Sequence, residues 1–148
     1  MITTLNDFLK EHDLGHQVDV AILDFSKAFD TVSQDKLLHK LHQYGIKGSL
    51  HAWLTIFLTK RTMKTIVEGE QSRETSVDSG VPQGTVLGPI MFLCHINDLP
   101  DCVKSSVRLF ADDCLLYRTI KTQEDQAALQ KDLENLETWA KNWGMKLF

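Results

Sequence analysis

Residues 107–117, VRLFADDCLLY, constrain the fold more than any other stretch: two apolar runs of strand length enclose a pair of adjacent aspartates, Asp112 and Asp113. Apolar runs flanking turn-forming residues predict a β-hairpin, and aspartate suits turns because its carboxylate accepts local backbone hydrogen bonds. Neighbouring carboxylates repel, however, and a hard divalent cation taking oxygen ligands would remove that cost. On this stretch alone, a plain turn and a metal-binding turn both stay open.

At 148 residues, 43% hydrophobic and 24% charged, the chain is long enough for a domain with its own core. No apolar run approaches the ~18 residues of a membrane span, and MITTLNDFLKEHD lacks the apolar stretch of a signal peptide. The expectation is an intracellular protein of nucleus or cytoplasm, neither secreted nor membrane-bound. Cys94, Cys102 and Cys114 are odd in number and lack CxxC spacing, so they are expected reduced and buried. The six histidines show no ligand pattern and are expected as solvated helix residues. Net charge is −4, yet the window from Lys36 to Val67 holds six basic residues and no acid, which leaves −10 on the remainder. Such a window is either a solvated lysine face or a surface for nucleic-acid phosphates.

VDVAIL (18–23) reads as a strand ending at Asp24. Ser33 caps a helix with Leu37, Leu38, Leu41 and Tyr44 on one face and Gly45 as its stop. Ser49 opens a second helix whose Leu50, Trp53, Leu54, Phe57 and Leu58 are expected in the core. TMKTIVEG and RETSVDSG predict a hairpin around EGEQ, and the Gly- and Pro-rich loop SGVPQGTVLGP (79–89) precedes a buried helix, IMFLCHINDL. Thr122 and Asp125 form a capping box for a last helix with Leu129, Leu133, Leu136, Trp139 or Ala140, and Trp143 as its stripe, closed by Gly144. With no linker or repeat, the order predicts one mixed α+β domain with an antiparallel sheet.

An aspartate at a strand's end, a shaped loop carrying Gln83 and an Asp pair in a hairpin together outline a site. Carboxylates from neighbouring strands surround a volume suited to divalent metal, and two ions about 3.5–4 Å apart can serve in-line phosphoryl transfer. A phospho-acceptor receiver domain also uses an Asp pair, but it leaves the Gln83 loop without a role and requires an alternating parallel βα order that is missing here.

At these residues the chain resembles the reverse transcriptases of non-LTR (LINE-type, jockey and CR1-like) retrotransposons. The resemblance runs from about Gly15 onward: LDFSKAFDTV (22–31) is similar to motif A, SGVPQGTVLGP (79–89) to motif B, LFADD (109–113) to motif C, and WAKNWGMKLF (139–148) to the approach to motif D. It implies a polymerase palm, an antiparallel sheet backed by helices, with part of the fingers, incomplete. It further implies that Asp24, Asp112 and Asp113 are catalytic acids binding two Mg²⁺ ions, with Mn²⁺ as a substitute and the Phe25 carbonyl as a further ligand. Phe29 would be the steric gate against a 2′-hydroxyl. Gln83 and Gly84 would lie at the incoming nucleotide, and Lys60, Arg61 and Lys64 at nucleic-acid phosphates. Asp30 and Lys27 match the motif but read as a helix cap and a local ion pair. The implied partners are an RNA template, a DNA primer and dNTP, together with the rest of a retrotransposon polyprotein. Family segments that clamp the triphosphate upstream and supply a lysine downstream have no counterpart here, so a fragment inactive alone is expected. The alternative is a decayed, non-catalytic relic that at most binds nucleic acid.

Overall fold

The structure is a computed structural model and describes residues 2–148. In chain order the elements are α1 (Ile2–Asp13), β1 (Gln17–Asp24), α2 (Ala28–Thr31), α3 (Gln34–Gln43), α4 (Gly48–Thr59), β2 (Thr62–Met63), β3 (Ile66–Val67), β4 (Glu70–Gln71), β5 (Thr75–Ser76), α5 (Leu87–Ile96), a 3₁₀ turn (Leu99–Cys102), β6 (Ser106–Phe110), β7 (Asp113–Ile120) and α6 (Gln123–Trp143). No composition shift marks a boundary, yet the chain divides into two compact units: residues up to Ser26 with Asp98–Phe148, and the inserted Lys27–Asn97.

The first unit is a three-stranded antiparallel sheet in the order β1-β7-β6. β7 pairs with β1 from Cys114–Leu23 to Ile120–Gln17 and with β6 on its other edge. Because side chains alternate along a strand, one face carries Val18, Val20, Ile22 and Asp24 beside Thr119, Tyr117, Leu115 and Asp113. α1 covers part of this face: the Phe8 ring meets Tyr117 edge-on at 5.0 Å, and the Tyr117 hydroxyl donates to Asp7 at 2.6 Å. The opposite face buries Cys114 and Leu116, and α6 contributes buried Leu129, Leu136, Trp139 and Ala140 to the same unit's core. The Thr122–Asp125 capping box starts α6, and Gly144, at φ 77°, ends it in the left-handed conformation that glycine adopts without penalty.

In the second unit Ser33 caps α3 as expected, its hydroxyl accepting the Lys36 N–H. Leu37, Leu38 and Leu41 are buried, but Tyr44 is the C-cap and is exposed. α4 begins at Gly48, and only Leu54 and Leu58 of its expected core are buried. Leu50 and Trp53 are exposed, and Phe57 is half-buried with its ring stacked on Trp53 at 5.3 Å. Helical periodicity locates an apolar face; it does not say that a neighbour covers it. α5 starts before IMFLCHINDL, taking Gly88 and Pro89 into its first turn, where proline's missing N–H costs nothing. It buries Met91, Phe92, His95 and Ile96 while Ile90 and Leu93 stay exposed.

Three further side-chain expectations change. His95 is wholly buried rather than solvated, and Lys40, counted within the basic window, is 1% exposed with its ammonium donating to the His95 carbonyl. Of the three cysteines, all free, only Cys114 is buried, and burial pushes its thiol up to about 11.

Candidate active site

Phe110 pairs with Asp113 across a two-residue turn, Ala111–Asp112. Ala111 sits at φ 52°, a left-handed conformation that costs an L-residue about 1–2 kcal/mol. The hairpin therefore holds backbone strain beside its acids, a combination that clusters at functional sites. Asp113 stands directly opposite Asp24 in the register. Asp24 exchanges both of its backbone bonds with Phe148 on the other side (N–H to O 3.2 Å, O from N–H 3.0 Å). The Asp24–Asp113 pair is thus a non-hydrogen-bonded one, the kind in which facing side chains come closest. Like charges directly opposite destabilise a sheet, and both residues are exposed.

By the same alternation, the N–H and C=O of Phe25 turn away from residues 146–148 toward the edge on which β7 lies. The buried Phe25 ring lies 6.2 Å from Trp139, which fixes that peptide from behind. Asp112, half-buried, occupies the turn itself. A cavity of about 400 Å³ bordered by Ile22, Phe110, Asp113 and Leu115 opens at this end of the face, with Thr3 and Thr4 of α1 on its rim.

This donor set is all oxygen, which fits a hard divalent cation. Among the described residues no three His, Cys, Asp or Glu side chains are gathered into a ready-made metal cage. Mg²⁺ uses one or two carboxylates and completes its shell with water and substrate phosphates, so an opposed pair with a third acid in the adjacent turn suits it in chemistry.

The second unit carries the other predicted residues. Gln83 is exposed, and its amide donates to the Asp30 carboxylate at 2.7 Å; Ser79 Oγ donates to the Asp30 carbonyl at 2.7 Å. Asp30 thus braces the 79–84 loop rather than serving only its own helix, and Lys27 takes the N-cap position with a left-handed backbone and no side-chain capping bond. The Phe29 ring stacks on Phe92 at 4.7 Å. Gly84, at φ 76°, has open space where a side chain would begin. Arg61 is committed to backbone carbonyls: Leu58 at 2.9 Å, Ser79 at 3.0 Å and Gly80 at 2.6 Å. Burial lowers its basicity. Lys60 and Lys64 are exposed.

Sequence reasoning missed three supports. Asp132, 3% exposed, accepts the backbone N–H groups of Lys104 (3.1 Å) and Ser105 (2.7 Å) where the chain enters β6. Burial alone would raise its pKa, but the Ser105 hydroxyl and these two N–H donors hold it below the usual carboxylate range. A single acid three residues after Leu129 on an apolar stripe was the available signal. Gly80 and Gly88 were readable only as loop residues. A Cβ on Gly80 would come 2.7 Å from the Phe29 carbonyl oxygen, and one on Gly88 would run into that of Pro82.

A helix-backed antiparallel sheet that presents opposed carboxylates beside a strained turn is palm-like, the architecture of nucleic-acid polymerases. Its fold aligns with apo telomerase from Candida tropicalis truncated from its C-terminal domain, at TM-score 0.65 and 12% identity, over 99% of this chain and 33% of that one. Residues 3–148 match the family described as reverse transcriptase (RNA-dependent DNA polymerase), and the chain belongs to that family.

Its relatives carry the non-LTR character that the motifs implied. The RNA-directed DNA polymerase from mobile element jockey of Drosophila melanogaster is 30% identical over 147 residues, 93% of this chain and 15% of that protein. The probable RNA-directed DNA polymerase from transposon BS of the same organism is 30% identical over 148 residues, 94% and 16% respectively. The retrovirus-related Pol polyprotein from type-1 retrotransposable element R2 of Popillia japonica is 29% identical over 130 residues, 78% and 21%. The chain therefore spans about a sixth to a fifth of these relatives' length. Among the described residues no helix is long and apolar enough to cross a membrane.

Proposed function

We propose that this chain supplies the nucleotidyl-transfer face of an RNA-directed DNA polymerase, in which a primer 3′-hydroxyl attacks the α-phosphate of a dNTP and pyrophosphate leaves. The observation that carries the reading is the Asp24–Asp113 opposition on one sheet face, with Asp112 in the adjoining turn, within a chain of the reverse transcriptase family. Such an arrangement costs stability unless something positive occupies the face.

Asp24, Asp112 and Asp113, with the Phe25 carbonyl, would hold two Mg²⁺ ions, or Mn²⁺ in their place. When bound, those ions supply Lewis-acid activation of the attacking hydroxyl and charge stabilisation at the leaving oxygen. The residues' own work is to fix positions. Phe148 pins the Asp24 backbone, and the Ala111 turn presents Asp112. In the second unit, Phe29 would exclude a 2′-hydroxyl, and Gln83, its amide nitrogen committed to Asp30, would offer its carbonyl oxygen to a donor on the nucleotide. Gly84 would admit close approach. Lys60 and Lys64, and the remaining N–H groups of Arg61, would meet phosphates of the RNA template and DNA primer.

We also propose that residues 1–148 by themselves do not polymerise, because phosphoryl transfer draws most of its rate from positioning, and one lost charge contact can cost ~10³–10⁵. The test is primer extension on an RNA template with Mg²⁺, run on this chain and on a longer polypeptide that includes it. The short chain should be silent and the longer one active, with activity abolished by Asp112→Asn. Robust synthesis by the short chain overturns the inactivity, and synthesis that survives Asp24→Asn and Asp112→Asn overturns the site.

A further inference from the structure

We propose that Phe92, which no nucleotide reaches, is a specificity-determining positioning residue: its ring sets how far Phe29 projects and so how strictly the sugar is read. The inference rests on the reading of Phe29 as the steric gate.

Three contacts hold Phe29 in place. Its carbonyl accepts the Val81 N–H at 2.8 Å, so the backbone is tied to the 79–84 loop. Gly80 lies so close that even a methyl group there would meet the Phe29 oxygen at 2.7 Å, so this backbone cannot drift toward the loop. On its inner side the ring lies nearly parallel to Phe92, with centroids 4.7 Å apart and planes 24° apart. Phe92 has no exposed surface and sits between buried Met91 and Ile96 on α5. The phase of α5 is itself fixed, because Gly88 touches the Pro82 carbonyl too closely for any side chain. Phe29 stays half-buried, so part of it remains accessible to a ligand.

A gate works by the absence of a space about the size of one hydroxyl group. Packed interiors do not deform freely, and a misplacement of about 1 Å can change rates a hundredfold. Replacing the flat Phe92 ring with an aliphatic side chain removes the platform, so Phe29 settles inward and the space opens although Phe29 itself is unchanged. The expected signature is therefore a change in the choice between sugars from a residue that touches neither.

The experiment has two arms. In the 148-residue chain, the aromatic resonances of isotope-labelled Phe29 should show contacts to Phe92 and should shift in Phe92→Leu. In primer extension by the longer polypeptide that includes the chain, the readout is the ratio of kcat/KM for a dNTP to that for the matching rNTP. Phe29→Val should collapse the ratio by roughly a hundredfold and Phe92→Leu should lower it by about tenfold. Ile96→Val, one turn further along the same buried face, should leave it unchanged. Phe92→Met fills a similar volume without a flat ring and is read the same way if Phe92→Leu does not fold. A collapsed ratio in Phe29→Val with an unchanged one in Phe92→Leu overturns this inference and leaves the gate standing. An unchanged ratio in Phe29→Val overturns the gate, and the inference with it. A ratio lowered as much by Ile96→Val as by Phe92→Leu reduces Phe92 to ordinary core.

Discussion

Among the described residues two hairpins are closed by two-residue turns, and they differ in what they carry and what supports them. The β3–β4 turn, Glu68–Gly69, has both residues at positive φ (52° and 88°), matching the twist of its strands, with glycine at the more demanding position. Every residue of β2 to β5 is exposed. The β6–β7 turn forces an alanine into the left-handed region, adds Asp112, and sets Asp113 against Asp24. Yet this is the hairpin with buried Cys114 and Leu116 beneath it and β1 beside it. Each turn holds one non-glycine residue at φ 52°, so backbone strain is common to both; what sets the β6–β7 hairpin apart is its like-charge pair, and it has the most support beneath and beside it. Opposed like charge persists where surrounding structure over-determines it, and its presence there marks chemistry.

The largest effect that could break this comparison is on activity. Asp24→Asn or Asp113→Asn in a polymerase that includes this chain should lower primer extension by at least about a thousandfold, whereas Glu70→Gln in the exposed hairpin should leave it near the starting value. Hydrogen exchange should separate the two regions next. The inner amides of β7 should open only with an energy near that of global unfolding, at least about 5 kcal/mol, and those of β3 and β4 with energies near zero. Equal protection would dissolve the contrast.

Support for β6 can then be removed from below. Asp132→Ala strands the buried Ser105 N–H and the partly buried Lys104 N–H and should cost about 1–3 kcal/mol in denaturant unfolding. Asp132 also predicts a pH dependence. Its folded-state pKa is depressed, so as pH falls the unfolded chain takes up the proton first. Its contribution is complete above about pH 4 and is lost as pH drops through the folded value; Asp132→Asn should flatten that part of the stability profile. The smallest effect has the opposite sign. Without metal, Asp113→Asn removes a like-charge pair and should raise stability by about 0.5 kcal/mol while abolishing activity. A loss of stability would mean that the carboxylates do not oppose each other in solution.

Much of this was legible in the sequence because it is local. The Ser33 cap, the Thr122–Asp125 box, the hairpin at EGEQ and the strand ending at Asp24 each depend on residues within a few positions of one another. The acids and the Gln83 loop stood out because they violate local expectation. What stayed hidden depends on distant partners. Nothing in the spacing of α4 says that Trp53 faces out, nothing near Lys40 says that it lies under the His95 carbonyl, and Arg61 reads as a phosphate contact until the Ser79 and Gly80 carbonyls arrive beside it. Gly80 and Gly88 are required by contacts that only the folded chain creates.

The bond pair between Asp24 and Phe148 has a consequence for the order of folding. It joins a residue near the start of the described chain to one at its end, and the first unit is interrupted by the whole of Lys27–Asn97. The inserted unit is continuous in sequence and can form early from nearby contacts. The first cannot close until the stretch from Asp24 to Phe148 has been gathered, a search whose entropic cost grows only logarithmically with loop length but which must be met before any long-range contact rewards it. A compact inserted unit shortens that loop. Asp24 and Asp113 should thus come to oppose each other late, and a folding chain would hold its acids apart until most other structure is complete.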